Sequence, residues 1–290
     1  KAFDKLQNYG IRGTVFNWLK SYLSNRKLQV KFKNTLSDQY TVDFGIPQGS
    51  VLGPLLYIVL ANDLIKCLKF CSCVSFADDT TVFASGRNIK FLFKKVNEDL
   101  KRLNLWFVSN SLSLNVEKSN YILFRMKSKK INCNNKIEIG GKEIRNVRDT
   151  KFLGVVIDEN LDWNSHVKHM LSKLTAGIHS LNMVKNIVPF YLKRIIYLAN
   201  IQSHLNYAVC VWGSMLTSSN RNKVKVKQNH AIRAIFNLNR RTSVKPFFKK
   251  ARLLNFEDLM NLSLLNISYR YVNDYLPLRI TNLYEIQTHD

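Results

Sequence analysis

The chain has 290 residues, 46% of them hydrophobic, including 17 Phe and 12 Tyr, enough apolar material for a sizeable core and too much for a disordered polymer. Its 44 Lys and Arg against 20 Asp and Glu give a net charge of +24, which points to a polyanionic partner. The longest apolar run, residues 51–61, is too short to span a bilayer and contains Gly53 and Pro54, so no membrane segment is expected.

Taken in chain order, "TVFNWLKSYLS" (14–24) has helical spacing. "KLQVKFKN" (27–34) alternates and pairs with "QYTVDFGI" (39–46) as two strands. Pro47 and Gly49 break the second strand, and "VLGPLLYIVLANDLIKCL" (51–68) reads as a buried helix. "CVSFA" and "TTVFA" flank Asp78-Asp79 as a hairpin with the acids at its tip. A long amphipathic helix over 89–109 follows, with Phe91, Val96, Leu100, Leu103 and Phe107 on its stripe. Short strands are expected at 121–126, 136–141 and 150–158.

From Trp163 the period becomes helical. Trp163, Val167, Met170, Leu171, Leu174, Ile178 and Leu181 share one face, and further helices are expected at 190–206, 222–237 and 257–275. Segment 163–256 holds sixteen Lys and Arg and no Asp or Glu. A merely solvated helical surface would mix both signs, so this segment reads as phosphate-binding. The five cysteines (67, 71, 73, 133 and 210) are an odd count without a secretory opening, which implies reduced thiols and an intracellular location, in cytoplasm or nucleus. "CLKFCSC" lacks a second pair at zinc spacing, and His166 and His169 are expected on the outside of a helix.

The adjacent carboxylates of Asp78 and Asp79 repel each other unless a cation offsets them. Mg²⁺ takes oxygen ligands and bridges protein carboxylates to substrate phosphates, and a pair of such ions supports phosphoryl displacement. An Asp-Asp pair alone is also ordinary turn chemistry, so the flanking motifs decide.

"GIPQGSVLGPLLYIVLANDL" (45–64), "FADDTTVF" (76–83), "LSLNVEKS" (112–119) and "KFLGVVID" (151–158) occur in that order. Together they resemble the reverse transcriptases of non-LTR retrotransposons, the jockey-like group most. The likeness continues through "QSHLNYAVCVWGS" (202–214), "QNHAIRAIFN" (228–237) and "KPFFKKARLLNFEDL" (245–259). It implies an α+β fold: a right-hand polymerase palm over 1–158, partial and without fingers, then an α-helical thumb and basic C-terminal region over 159–290. It implies RNA-directed DNA polymerase activity by two-metal transfer to a primer 3′ hydroxyl, using an RNA template, a DNA primer and dNTPs.

The same resemblance assigns residues. Asp78 is the principal and Asp79 the secondary ligand of Mg²⁺, with Mn²⁺ as an alternative. Gln48, Gly49, Lys118 and Phe3 surround the nucleotide: Gln48 contacts it, Gly49 admits it to the backbone, Lys118 approaches the triphosphate and Phe3 packs beneath the sugar. Phe152, Leu153 and Gly154 form the primer grip. Taken alone, Gly49 is a turn residue, Lys118 a solvated charge, 152–154 a strand with a bend and Phe3 a terminal aromatic.

Two departures stand out. The family's first catalytic motif has an aspartate shortly before Lys-Ala-Phe-Asp, whereas this sequence opens at Lys1, and Asp4 is not its substitute. Roughly ten residues expected after Ala-Phe-Asp are also lacking, about 15 Å if helical. The sequence therefore resembles a truncated, internally deleted copy, with impaired or absent polymerase activity as the expectation. The alternative is a non-catalytic nucleic-acid-binding remnant that uses 163–256; a metal-dependent nuclease finds no support in the motif order.

Overall fold

The computed structural model describes residues 2–42, 45–47, 49–129 and 135–277. Mixed helix and strand give way after Trp163 to helices alone, an α+β arrangement in two packing units. The first comprises Lys1–Tyr121 with Lys130–Asn146; the second comprises Ile122–Lys129 with Val147–Asp290.

In the first unit, α1 (Ala2–Asn8) and α2 (Gly13–Leu23) bury Leu6 and Leu19 against Leu56 of α3 (Gly53–Ala61). Phe3, Phe16, Ile46 and Leu52 pack around that cluster, and Phe3 meets Phe16 edge to face at 6.0 Å. Lys5 of α1 fixes the far end of α3: its Nζ donates to Leu60 O and to Asp63 Oδ1, each at 2.7 Å. Between α2 and α3, β1 (Arg26–Leu28) pairs with β4 (Tyr40–Val42), and β2 (Lys31–Phe32) with β3 (Thr35–Leu36), all antiparallel; the expected single pair of 27–34 with 39–46 is thus two short ladders, the inner one taking up residues 35–36 of the expected turn.

Residues 51–68 are not one buried helix. The helix ends at Ala61, a 3₁₀ turn follows at Leu64–Cys67, and Leu55 and Ile58 remain exposed while Leu56 is buried. A helix apolar all round has no polar face to orient it; packing from α1 and α2 selects the buried side.

Next come β5 (Ser72–Phe76), β6 (Asp79–Phe83) and α4 (Ile89–Ser109), whose bounds match the expected helix. Its buried stripe is Phe93, Leu100, Leu103 and Phe107; Phe91 is exposed, with the Lys95 ammonium 4.5 Å from its ring. Positions 93, 100 and 107 recur every seven residues and hold one face, whereas a residue two places earlier points roughly 200° away. The expected strand at 121–126 shrinks to Tyr121 within β7 (Asn120–Tyr121), while β8 (Glu138–Ile139) pairs with β9 (Lys142–Glu143) and β10 (Arg145–Asn146) with β7. Among the described residues every sheet has two strands.

In the second unit, β11 (Asp149–Phe152) and β12 (Val155–Asp158) form a hairpin that leads into α5 (Asn164–Val184). Asp158 makes the junction: its carboxylate accepts from the backbone N–H of Asn160, Asp162 and Trp163 at 3.1, 3.1 and 2.8 Å. The hairpin therefore packs with the helices, and the packing border falls earlier in the chain than the composition border.

The remaining helices are α6 (Phe190–Tyr197), α7 (Ser203–Asn206), α8 (Val209–Trp212), α9 (Ser218–Phe236), α10 (Lys245–Ala251) and α11 (Phe256–Val272). Their core contains the α5 stripe and Val224, Ile232 and Ile235 of α9, as the period predicts. Gln228 lies among them without strain, donating to Tyr197 Oη at 2.8 Å and Leu254 O at 3.0 Å. Among the described residues no helix is long and apolar enough to cross a membrane.

A π-helical turn, Leu198–Gln202, joins α6 to α7 and presses on α5 at Gly177, where an added Cβ would lie 2.7 Å from Asn200 O. In an exposed helix Gly→Ala is favourable by about 1 kcal/mol, but here the backbone clash dominates. Gly177→Ala is expected to destabilise by about 1–3 kcal/mol in urea titration; equal or greater stability would disprove the close approach.

Candidate active site

Asp78 and Asp79 stand at the tip of the β5–β6 hairpin, as their flanking sequence predicts. The register pairs Phe76 with Asp79, which leaves Ala77-Asp78 as a two-residue turn, and both acids are exposed. β-branched Val74, Thr80, Thr81 and Val82 suit the paired arms, and Cys73 points into the unit at 5% exposure. Ala77 takes φ 51°, a left-handed conformation that costs a residue with a Cβ about 1 kcal/mol or more.

The base of the hairpin is held by a residue that the motifs do not mark. Asp99 of α4 is fully buried and accepts from the backbone N–H of Lys69, Phe70 and Cys71 at 3.0, 2.7 and 2.7 Å. Arg102 adds a 2.7 Å ion pair. Burial opposes the charge, but these donors outweigh it and hold the Asp99 carboxyl below its ordinary range. Burial, and then Asp99, push the Cys71 thiol up to about 12. The one sequence signal for this anchor is an acid inside the α4 apolar stripe, beside Leu100. Cys67, Cys71, Cys73 and Cys210 are free thiols.

The Gly45–Gly53 turn is built on strained positions that glycine relieves: Gly45 and Gly49 have φ +86° and +76°, and a Cβ at either would meet open space. Arg26 Nη2 donates to Gly45 O at 2.6 Å and its Nε to Leu23 O at 3.2 Å, which ties the turn to the end of α2. Ser50 Oγ accepts from Gly53 N at 3.1 Å and starts α3. Gln48 lies outside the described residues.

One turn into α3 is Tyr57. Burial, and then the charge of Asp78, raise its phenol above the ordinary value, so the hairpin tip lies within electrostatic reach of the helix that follows the glycine turn. Leu56 beside it belongs to the cluster that holds Phe3, Ile46 and Leu52. The glycine turn and the Phe3 region are thus connected through α3, while Phe3 itself is half-buried on Phe16. Lys118 is exposed at the end of a 3₁₀ turn, Val116–Lys118, that Asn115 caps at 3.1 Å.

Leu153 and Gly154, at φ 45° and 87°, form the turn of the β11–β12 hairpin, and Phe152 closes β11 opposite Val155. Tyr207 covers it: its hydroxyl donates to Leu153 O, and its ring would stand 3.1 Å from a Cβ on residue 154. Trp212 Nε1 donates to Tyr207 O at 3.0 Å, and Trp212 packs 5.0 Å from the ring of His166. His166 is not on the outside of α5; it is 5% exposed, and Nδ1 accepts from Val156 N at 3.3 Å. The hairpin is gripped at its turn and at its second strand by one aromatic cluster.

Neither Asp78 nor Asp79 has a side-chain hydrogen bond or ion pair among the described residues, so their oxygens are free for an ion that keeps most of its water. Among those residues no group of three or more His, Cys, Asp or Glu gathers around a common point. The pair fits Mg²⁺ as a two-carboxylate donor set that substrate phosphates would complete.

A glycine turn that leads into α3 and an acid-tipped hairpin are the two features of this unit that comparison with known proteins bears on. The model of the family "Reverse transcriptase (RNA-dependent DNA polymerase)" matches residues 1–157, and the chain belongs to that family. Its relatives place it among the non-LTR retrotransposon enzymes. It is 28% identical over 253 residues to the probable RNA-directed DNA polymerase from transposon BS of Drosophila melanogaster, covering 81% of this chain and 28% of that protein. Identity is 26% over 250 residues to the probable RNA-directed DNA polymerase from transposon X-element of the same species, covering 81% and 27%. It is 25% over 253 residues to the RNA-directed DNA polymerase from the mobile element jockey of that species, again covering 81% and 27%. The chain therefore spans little more than a quarter of the length of these relatives.

Two outcomes follow from the anchors. Asp99→Ala would remove the acceptor of three part-buried backbone N–H groups at once, each hydrogen bond worth about 0.5–1.5 kcal/mol or more. It should therefore abolish hydrogen-exchange protection at Lys69, Phe70 and Cys71; unchanged protection would show that the carboxylate does not hold the loop. His166, whose ordinary value is 6.5, is held by burial, and then by His169, at about 4. Its stabilising contribution is full above pH 6.5 and declines toward pH 4, by at most about 1.4 kcal/mol per pH unit, as the unfolded chain takes up the proton. The stability gap between wild type and His166→Gln in urea should narrow over that interval, and a constant gap would refute the assignment.

Proposed function

We propose that this chain carries the palm and the following helical part of an RNA-directed DNA polymerase that extends a DNA primer on an RNA template. Asp78 is the principal and Asp79 the secondary carboxylate for Mg²⁺ or Mn²⁺. When bound, the ions lower the cost of deprotonating the primer 3′ hydroxyl and of charge on the departing pyrophosphate.

The chain's own residues position the reactants. Gly49 admits a nucleotide close to the backbone, with Gln48 beside it; Lys118 approaches the triphosphate, and Phe3 lies beneath the sugar. Phe152, Leu153 and Gly154 support the primer end, and residues 1–158 and 159–290 act as palm and thumb with downstream region. The observation that carries this reading is the exposed Asp78-Asp79 pair at the tip of the β5–β6 hairpin, in a chain whose residues 1–157 match the reverse transcriptase family.

A second reading has its own support in charge. Sixteen of the 44 cations fall in 163–256, where no acid occurs, so this stretch alone could hold a nucleic-acid backbone without chemistry.

Primer extension on an RNA template with Mg²⁺ or Mn²⁺ separates them. The polymerase reading expects dNTP-dependent extension that falls at least about a hundredfold in Asp78→Asn, on the scale of losing a charge that acts in the transition state. Extension that survives the substitution overturns the assignment of Asp78. No extension with either metal, together with hybrid binding that is equal in wild type and Asp78→Asn, establishes the binding-only reading instead.

A further inference from the structure

The cations of 163–256 are not equivalent. Arg221 and Lys225, in the first half of α9, both reach Glu257 of α11, at 3.7 and 2.7 Å, and share its single negative charge. The second half of the same helix presents Lys227, His230 and Arg233 at successive intervals of three, along one side. Asn237, at φ 52°, then reverses the chain, and Arg233 Nη2 donates to Thr242 O at 3.2 Å, folding the loop that carries Arg240 back over the helix end.

The result is a cluster of one sign. His230 is half-buried; burial first, and then Arg233, Lys227 and Arg240, hold its imidazole below the ordinary value, so all three cations act at one place. Lys227 and Arg240 have no ion-pair partner among the described residues. Stabilising the C-terminal end of the α9 dipole would account for one cation in the last turn, where Arg233 already stands. It does not account for Lys227, or for a second cation brought back by the loop.

We infer that Lys227, His230, Arg233 and Arg240 form a docking surface for the sugar–phosphate backbone of nucleic acid, at the C-terminal end of α9. The inference rests on the nucleic-acid-binding reading above and assigns it to one end of one helix. The contact is made to phosphates, so it is independent of base sequence and sensitive to salt.

The test is fluorescence anisotropy of the full 290-residue chain with a labelled RNA–DNA hybrid, across a salt series. Lys227→Gln with Arg240→Gln is expected to weaken binding about tenfold or more and to reduce the slope of log K against log salt by about 1.4–1.8. Arg221→Gln with Lys225→Gln should leave affinity within about twofold, since those cations are already paired. Lys227→Arg with Arg240→Lys should retain binding, and each single Gln variant should give half the change in slope. Thermal melting checks that each variant folds.

Binding by wild type with an unchanged slope in the Lys227/Arg240 pair overturns the location while leaving the nucleic-acid reading intact. A melting loss without an affinity loss reduces the cluster to helix stabilisation and overturns it too. No hybrid binding by wild type removes both readings. Vesicles containing phosphatidylserine should bind more weakly than the hybrid; a preference for them would replace nucleic acid with a membrane surface.

Discussion

Two buried carboxylates hold this structure in place by the same means. Asp99 gathers three consecutive backbone N–H groups ahead of β5, and Asp158 gathers three between β12 and α5. A carboxylate that loses water can be compensated only by donors aimed at both oxygens, and backbone amides supply these without side-chain entropy. The cost of undoing either set is several buried donors at once. Each acid therefore converts a loop, which would otherwise be free to drift, into a fixed point between a strand and a helix.

That constraint explains how a small, strained hairpin can be specific. The β5–β6 pair is two-stranded and bends through a left-handed Ala77, so its own hydrogen bonds are a thin basis for order. Its entry is pinned by Asp99 on α4, while Trp106, two turns further along the same helix, donates to Asp63 at the end of α3. Lys5 closes the ring by binding Asp63 and stacking 4.8 Å over Trp106. The acid tip and the glycine turn are thus referred to a common frame of α1, α3 and α4. In the second unit, Tyr207, Trp212 and His166 play the corresponding part for the Leu153-Gly154 turn.

Much of this was legible in the sequence wherever period or turn chemistry operates. The α4 bounds, the α5 core stripe, the acid-tipped hairpin and the paired strands on either side of residue 34 all follow from local pattern. The candidate site residues rest on motif order, which carries spacing that no single motif does. What stayed hidden depends on tertiary partners: Asp99 looks like a surface acid until residues 69–71 arrive, and His166 looks like one of two outward imidazoles until Val156 donates to it. Phe91 and Phe93 are equivalent by hydropathy, and only the α4 seven-residue spacing separates them. The 51–68 run misled because an unbroken apolar pattern marks neither a helix end nor a buried face.

The economy of charge gives the acid pair its meaning. In a chain with more than twice as many cations as acids, an exposed carboxylate should readily find a partner. Glu143, Glu159, Asp162 and Glu257 are paired, with Lys136, Arg125, Lys127 and two residues of α9, whereas the exposed Asp38, Glu117 and Glu138 have no ion pair among the described residues. Asp78 and Asp79 are likewise without an ion pair among the described residues, and unlike those three they are adjacent, exposed together at a hairpin tip. Two adjacent carboxylates repel each other, and the cation proposed above, arriving with substrate phosphates, would offset that repulsion.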